Sequence, residues 1–113
     1  KTARILLGNQ KLIGKSTHSI KEIISASAEG CDYLGLGPIY HSKTKAGLKP
    51  IGETALAQAS KITKLPFFAI GGINSSNINK IRSNGTRRIA VSEAIMNTND
   101  PGLATKNLLK ELQ

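Results

Sequence analysis

The stretch FFAIGGINSSN, residues 67–77, joins four apolar residues to two glycines and a run of small polar residues. The apolar residues predict a buried strand, and the polar run predicts the beginning of a helix. Paired glycines at this junction serve either a tight turn or the approach of an anion to backbone N–H groups, and both uses depend on the missing Cβ. The stretch therefore predicts a βα unit whose turn is a candidate phosphate site.

The rest of the chain repeats this alternation. Four segments of strand length recur, namely KLIG (11–14), DYLGLG (32–37), FFAI (67–70) and RIAV (88–91). Helical patterns follow them over 18–30, about 53–63, about 75–84 and about 100–112. The opening KTARILLGNQ indicates the end of a further helix that stops at Gly8, so that residue 1 is expected to lie inside a larger protein. Because strands that alternate with helices form parallel sheets, the sequence predicts an α/β fold of four βα units in one partial domain over 1–113.

Capping residues support these helix boundaries. Ser19 and Glu22 have the spacing of a capping box at the beginning of the helix 18–30. Asp100 is the predicted N-cap of the last helix, and Asn74 or Ser75 the predicted N-cap of the helix near 75–84. The inner face of the helix 18–30 is predicted to contain Ile20, Ile23, Ile24 and Ala28.

Composition narrows the classes of partner. The 113 residues include 16 Lys and Arg against 7 Asp and Glu, which gives a net charge of +9. That balance suits phosphate-bearing ligands or nucleic acid, or belongs only to a solvated surface. Nucleic acid is disfavoured because there is no zinc-finger or helix-turn-helix pattern and only two Tyr and two Phe for stacking. A single cysteine and the lack of a membrane-length apolar run favour a reducing, cytoplasmic setting without a membrane.

Small polar residues and glycines cluster where the predicted strands end. In parallel α/β sheets, ligands bind at the carboxyl ends of the strands. Those ends here are KSTH (15–18), the loop 38–52, Gly71-Gly72 and Ser92-Glu93. Glycine amides, hydroxyls and lysines are the groups that bind phosphate, although neither a Walker A motif nor a G-x-G-x-x-G follows any strand.

Three longer segments carry a family resemblance. GCDYLGLGPIYHSKTKAGLKPIG, FFAIGGINSSNI and IAVSEAIMNTNDP resemble the C-terminal half of the thiamine phosphate synthase family, over about Leu6 to Leu112. The resemblance implies the C-terminal half of a (βα)8 TIM barrel, with the N-terminal half absent. It also implies a transferase that joins thiazole phosphate to aminopyrimidine methyl diphosphate and releases diphosphate. The family's transition state is cation-like at the pyrimidine methylene, so catalysis needs orientation and neutralisation of diphosphate.

The resemblance assigns roles to residues at the strand ends. Ser16 matches the family serine near the pyrimidine substrate, and its other reading is a turn hydroxyl. The family pattern T-x-T-K matches Ser42, Lys43, Thr44 and Lys45. The two hydroxyls would bind the thiazole phosphate, and Lys45 would face the leaving diphosphate as a mobile point charge. Gly72 would present its backbone amide to the thiazole phosphate.

The last strand end departs from the family pattern. Ser92 and Glu93 are expected to contribute backbone amides, but the family often has serine or arginine where Glu93 stands. A carboxylate beside a phosphate is repulsive, so Glu93 must point away or be neutralised, for example by Arg87 or Lys45. His41 stands where the family has Pro. The resemblance also implies Mg²⁺ in the complete enzyme, with its aspartate ligands in the first half of the barrel and no metal ligand in this chain.

Two alternatives and one assembly prediction remain. Thiazole tautomerases of the same superfamily carry a catalytic histidine where this chain has Pro38, so Pro38 favours the synthase. A non-enzymatic basic module is the other alternative. Half a barrel exposes two strand edges and an apolar interior face, which predicts a homo-oligomer. Because the implied Mg²⁺ ligands belong to the other half, the chain is also expected to have little activity of its own.

Overall fold

The computed structural model describes residues 2–41 and 47–113. Strands and helices alternate along the chain as the sequence predicts. In order, the elements are α1 (Thr2–Leu7), β1 (Gly14–Thr17), α2 (Ile20–Ala28), β2 (Tyr33–Leu36), α3 (Thr54–Ile62), β3 (Phe67–Ile70), α4 (Ile78–Ser83), β4 (Ile89–Ala90), α5 (Glu93–Met96) and α6 (Pro101–Leu112). The prediction of four βα units is confirmed.

The four strands form one parallel sheet in the order β1-β2-β3-β4. Ser16 is in register with Gly35, Gly35 with Phe68, and Ile70 with Ala90. Because the order follows the chain, each crossover joins neighbouring strands, which is the arrangement of a TIM barrel. Within the described chain, β1 and β4 each have one edge without a neighbouring strand.

The sheet has one covered face and one open face. Alternate strand residues turn toward the helices, and they form the core with apolar residues from α2, α3, α4 and α6. The fully buried members of that core include Ile23, Leu34, Leu36, Leu56, Ala69, Ile78 and Ile81. The opposite face is open, and its Tyr33 and Ile70 are each 40% exposed. The sheet therefore buries one apolar face only, as expected of part of a barrel.

The first strand lies three residues later than predicted. The apolar run KLIG (11–14) is not a strand, and Leu12 is 79% exposed. The carbonyl oxygen of Ile13 accepts a hydrogen bond from Asp32 N–H (2.7 Å), and Ile13 N–H donates one to the Asp32 carboxylate (2.7 Å). These two bonds fix where β1 meets β2. Backbone register, rather than an apolar run, decides the position of this edge strand, and only Thr17 of β1 is buried.

The predicted helix caps agree with the structure more closely than the predicted inner face of α2 does. Ser19 Oγ accepts the N–H of Glu22 (3.1 Å), and the Asp100 carboxylate accepts the N–H of Leu103 (3.0 Å), so both predicted caps are confirmed. Helix α4 begins at Ile78 instead of near 75, because the preceding asparagines form a turn of their own. The inner face of α2 contains Ile23 and Ala26, with Ile20 partly buried, whereas Ile24 and Ala28 face outward.

Arg4 of α1 ties this helix to the residues that precede β1 and β2. Its guanidinium pairs with the carboxylate of Asp32 (2.8 Å) and donates to the carbonyl oxygens of Gly8 (3.2 Å), Lys11 (2.8 Å) and Gly30 (3.0 Å). The hydrogen bond from Arg4, followed by that from Ile13 N–H, lowers the pKa of Asp32 below its usual value. Among the described helices, none is long and apolar enough to cross a bilayer.

Candidate functional site

A cavity of about 710 Å³ lies on the open face of the sheet. Its floor consists of the strand residues that turn away from the helices, and the chain that follows β1, β2 and β3 forms its upper wall. Tyr33 and Phe68 meet edge to face on the floor, with ring centroids 5.8 Å apart. The residues that line it include Ser16, His18, Gly35, Pro38, Ile70 and Gly71. The cavity runs along the open face from residues that precede the strands, such as Asp32 and Pro66, to the carboxyl ends of the strands, where parallel α/β sheets bind ligands.

Ser16 lies on the wall of this cavity but not in a turn. It is the third residue of β1 and is paired in register with Gly35, which has no side chain to cover it. The prediction that Ser16 follows the strand is wrong, because β1 runs from Gly14 through Thr17. Lys15 points to the other face, where it pairs with Glu29 at 2.5 Å. Alternation along the strand therefore directs the serine, and not the lysine, into the cavity.

The paired glycines lie beneath a second chain segment. Residues 37–41 cross the end of β3, where the N–H of Ile39 donates to Ile70 O (2.9 Å) and that of Tyr40 to Gly71 O (3.1 Å). The Gly37–Pro38 peptide bond in this segment is cis. A Cβ on Gly71, which has φ +108°, would lie 2.6 Å from Pro38 Cα. The turn reading is confirmed, because backbone from another segment fills the space a side chain would need.

Gly72 continues this close approach. Its φ is +66°, and a Cβ there would lie 2.5 Å from His41 O. The side-chain amide of Asn77 donates to the carbonyl oxygen of Gly72 (2.8 Å), which ties the turn to the beginning of α4. The sequence did not single out Asn77, although its place one residue before the helix is the usual place for a capping amide. The role of the Gly72 amide toward phosphate stays a prediction.

The motif Ser42, Lys43, Thr44 and Lys45 lies outside the described residues. After the motif, Ile51 N–H donates to Pro38 O (2.9 Å), and Gly52 N–H donates to Ile39 O (2.9 Å). Residues 51–52 are therefore hydrogen-bonded to the same segment, 37–41, that crosses the end of β3.

Tyr40 is a polar residue that the sequence reasoning missed. Its hydroxyl is buried and has no hydrogen-bond partner among residues 2–41 and 47–113. Burial, and then the nearby carboxylate of Glu53, raise the pKa of Tyr40 to about 12. Both effects disfavour the phenolate, so Tyr40 stays neutral at physiological pH.

Ser92 and Glu93 follow β4 after one intervening residue, Val91. Ser92 is the N-cap of α5, and its carbonyl oxygen accepts the N–H groups of Ile95 (3.1 Å) and Met96 (2.8 Å). Both Ser92 and Glu93 are exposed. Ala90 of the same strand lines the cavity, but Ser92 and Glu93 lie beyond its described lining. Ser16 and Gly71 of the glycine turn therefore line the same cavity, whereas Ser92 and Glu93 lie outside its described lining.

The described residues do not form a metal centre. No group of three or more His, Cys, Asp or Glu among residues 2–41 and 47–113 lies close enough to hold a metal ion. Asp32 precedes β2, at the opposite end of the sheet from the strand ends, and its carboxylate is engaged by Arg4. The residues described here therefore do not fit a Mg²⁺ site.

The chain matches known proteins throughout its length. The family model described as thiamine monophosphate synthase matches residues 1–95. A thiamine-phosphate synthase of Prochlorococcus marinus is 48% identical over 112 residues, which is 99% of this chain and 32% of that protein. One from Nostoc sp. is 43% identical over 111 residues, 98% of this chain and 32% of that protein. The chain spans about a third of the length of these relatives.

Solved structures give the same match. Thiamine phosphate pyrophosphorylase from Pyrococcus furiosus superposes with a TM-score of 0.89 at 33% identity, covering 98% of this chain and 52% of that chain. A 3-hexulose-6-phosphate synthase from Salmonella typhimurium superposes with a TM-score of 0.64 at 21% identity, covering 90% of this chain and 49% of that one. The second likeness concerns the fold alone. The four βα units thus correspond to about half of each of these barrels.

Proposed function

This chain belongs to the thiamine monophosphate synthase family, and on that premise we propose that it forms the C-terminal part of a transferase that makes thiamine phosphate. The reaction joins thiazole phosphate to aminopyrimidine methyl diphosphate. The thiazole nitrogen forms a bond to the pyrimidine methylene carbon, and the bond from that carbon to the diphosphate oxygen breaks. Its electron pair leaves with diphosphate.

One observation carries the proposal. The cavity on the open face of the sheet combines two aromatic rings on its floor with the Ser16 hydroxyl and with Gly71 of the glycine turn. The reaction requires two heteroaromatic rings, one phosphate and one diphosphate to be bound side by side. An apolar floor suits the rings, while glycine amides and the neighbouring SKTK motif (42–45) suit the phosphates.

The residue roles follow from this arrangement. Ser16 hydrogen-bonds the pyrimidine. Gly72 N–H, with the hydroxyls of Ser42 and Thr44 around Lys43, binds the thiazole phosphate. Lys45 neutralises the departing diphosphate as its charge develops, which is where electrostatic stabilisation lowers the barrier most.

Ser92 and Glu93 act, in this proposal, at the rim through their backbone amides. Both residues are exposed, so this role does not require the Glu93 carboxylate to point at a phosphate. The complete enzyme uses Mg²⁺, which supplies charge neutralisation of diphosphate. We assign no ligand for it in this chain, because the described residues do not fit such a site.

The tautomerase alternative is disfavoured by Pro38. Pro38 lies on the cavity wall, where it offers no group that can move a proton. An isomerase of this superfamily would need a titratable side chain at that place.

A fusion tests the function directly. The chain is joined to the N-terminal two-thirds of the Prochlorococcus marinus relative, replacing the matching region, and thiamine phosphate is measured by chromatography. We expect turnover by the fusion and little or none by the 113-residue chain alone. An inactive but folded fusion would contradict the proposed function, and turnover at an enzyme-like rate by the chain alone would contradict its dependence on the missing part.

A further inference from the structure

The side chains of His18, which lines the cavity, and Glu22 are hydrogen-bonded to each other. His18 follows β1 directly and lines the cavity, and Glu22 lies in the first turn of α2. The imidazole Nδ1 lies 3.1 Å from Glu22 Oε1. Ser19 Oγ donates to the other carboxylate oxygen, Oε2 (3.3 Å), and accepts the Glu22 N–H (3.1 Å). The carboxylate is therefore fixed by the helix cap and in turn fixes the ring.

This pairing selects one form of the imidazole ring. An ionised carboxylate can only accept hydrogen bonds, so Nδ1 must carry the hydrogen. The hydrogen bond with His18 lowers the pKa of Glu22 below its usual value, which keeps the carboxylate ionised at neutral pH. In the neutral ring Nε2 is then an acceptor. A carboxylate that orients a histidine in this way is a common device in functional sites.

The surroundings of His18 favour a neutral donor over an anion. Among the described residues that line the cavity there is no Lys or Arg. The wall near His18 is apolar apart from the Ser16 and Thr17 hydroxyls, and Thr17 Oγ1 already donates to Gly35 O (2.7 Å). A phosphate placed here would lie near the Glu22 carboxylate, and the described cavity lining has no Lys or Arg to offset that charge. An amino group on an uncharged aromatic ring would instead find an acceptor.

We propose that Glu22 is a positioning residue that holds His18 with Nε2 toward the cavity, where Nε2 accepts a hydrogen bond from the amino group of the pyrimidine substrate. This inference rests on the proposed function and deepens it, because it names a contact that distinguishes an aminopyrimidine from a pyrimidine without the amine. The simpler reading of the pair is an exposed i,i+4 contact that only supports α2. The two readings differ in what they predict for ligand discrimination.

The test compares two probes in calorimetry on the fused full-length protein. They are 4-amino-2,5-dimethylpyrimidine and 2,5-dimethylpyrimidine, which differ only by the amino group. We expect the wild-type fusion to bind the amino compound roughly two- to tenfold more tightly, the value of one hydrogen bond. His18→Leu should bring the ratio close to one, and Glu22→Ala should lower it partway. His41→Gln changes the other histidine and should leave it unchanged.

Binding of inorganic diphosphate, measured in the same proteins, separates the two ligand chemistries. We expect His18→Leu to leave diphosphate affinity unchanged. Equal discrimination in wild type and His18→Leu, or a loss of diphosphate affinity instead, would overturn the inference. These measurements need no turnover, so they stand apart from the activity assay that tests the proposed function.

The ring itself gives a second readout. Long-range ¹⁵N NMR of the 113-residue chain above pH 8 distinguishes protonated from unprotonated ring nitrogens, and His41→Gln assigns the signals. We expect His18 to carry its hydrogen on Nδ1, and Glu22→Ala to move it largely to Nε2. A wild-type ring protonated on Nε2 would contradict the positioning role of Glu22.

Discussion

Gly72 and His41 approach so closely that a Cβ on Gly72 would lie 2.5 Å from the His41 carbonyl oxygen. This contact joins the turn after β3 to the segment that leads into the SKTK motif. It explains why the chain places glycine there without any ligand, since only the absence of a Cβ permits the approach. The turn is only half-buried, so its backbone can still meet an anion, and the two uses do not exclude each other.

Gly72→Ala should therefore destabilise the fold. We expect the free energy of unfolding to fall by about 2–4 kcal/mol, from the left-handed backbone and from the contact with His41 O. Gly85→Ala is the matched control, because Gly85 has φ +88° with nothing within 4 Å of its Cβ position. It should cost only about 1–2 kcal/mol. Equal losses for the two variants in chemical denaturation would contradict the argument from close approach.

Lys45 and Thr44 should affect different substrates. In the fused full-length protein, Lys45→Ala should lower kcat and weaken use of the diphosphate substrate, because a developing anion loses its counter-charge. Thr44→Ala should raise KM for thiazole phosphate by roughly two- to tenfold, the loss of one phosphate hydrogen bond. Steady-state kinetics with each substrate varied would check both. Wild-type values for both variants would show that the assignment of SKTK is wrong.

The Arg4–Asp32 pair should make stability depend on acid. The pKa of Asp32 is lowered in the folded state from 3.8, so the pair stabilises the fold above that pH and loses this effect as pH falls through the folded-state value. Arg4→Met should lower stability at pH 7 and reduce its dependence on pH below 4. Denaturation midpoints measured from pH 7 to pH 2 would test this.

Arg82→Met removes the same charge, but Arg82 donates to the Glu111 carbonyl and not to a carboxylate. Its stability should keep the wild-type dependence on pH. If Arg4→Met and Arg82→Met gave parallel curves, the dependence would not come from the Arg4–Asp32 pair.

The open face of the sheet should drive self-association of the isolated chain. Two free strand edges and an exposed apolar floor form a surface that water disfavours. We expect a dimer or larger species by light scattering at micromolar concentration. Ile70→Glu, on the open face, should shift the chain toward monomer, whereas Ile24→Glu, on the outer side of α2 where the side chain is 58% exposed, should not. A monomeric wild-type chain with a cooperative melt would refute the prediction.

The sequence predicted β2, β3 and β4 to within about a residue but placed β1 three residues too early. The strands β2 and β3 were located within a residue, because Leu34, Leu36, Phe67 and Ala69 must face the helices. Strand β1 was placed at the nearest apolar run, yet an edge strand with an open face gains little from apolar side chains, and its register depends on Asp32.

The candidate site was predictable in outline for the same reason. Strand ends meet at one edge of a parallel sheet, so Ser16 and the glycine turn could be grouped from order alone. The hydrogen bond between His18 and Glu22 could not be predicted, because a histidine that precedes a helix has several possible partners. The capping box that holds Glu22 was visible in the sequence. Tyr40 was missed because its burial depends on the path of residues 37–41, which no local pattern encodes.

The crossing segment 37–40 has a consequence for how this protein can change. It is hydrogen-bonded to 70–71 on one side and to 51–52 on the other, so both ends of the intervening stretch 41–50 are fixed by the scaffold. Doubling the length of such a stretch costs only about 0.6 kcal/mol of closure entropy. Insertions outside the SKTK motif would therefore cost the sheet little stability. New substrate preferences could evolve in this stretch while selection for folding acts elsewhere.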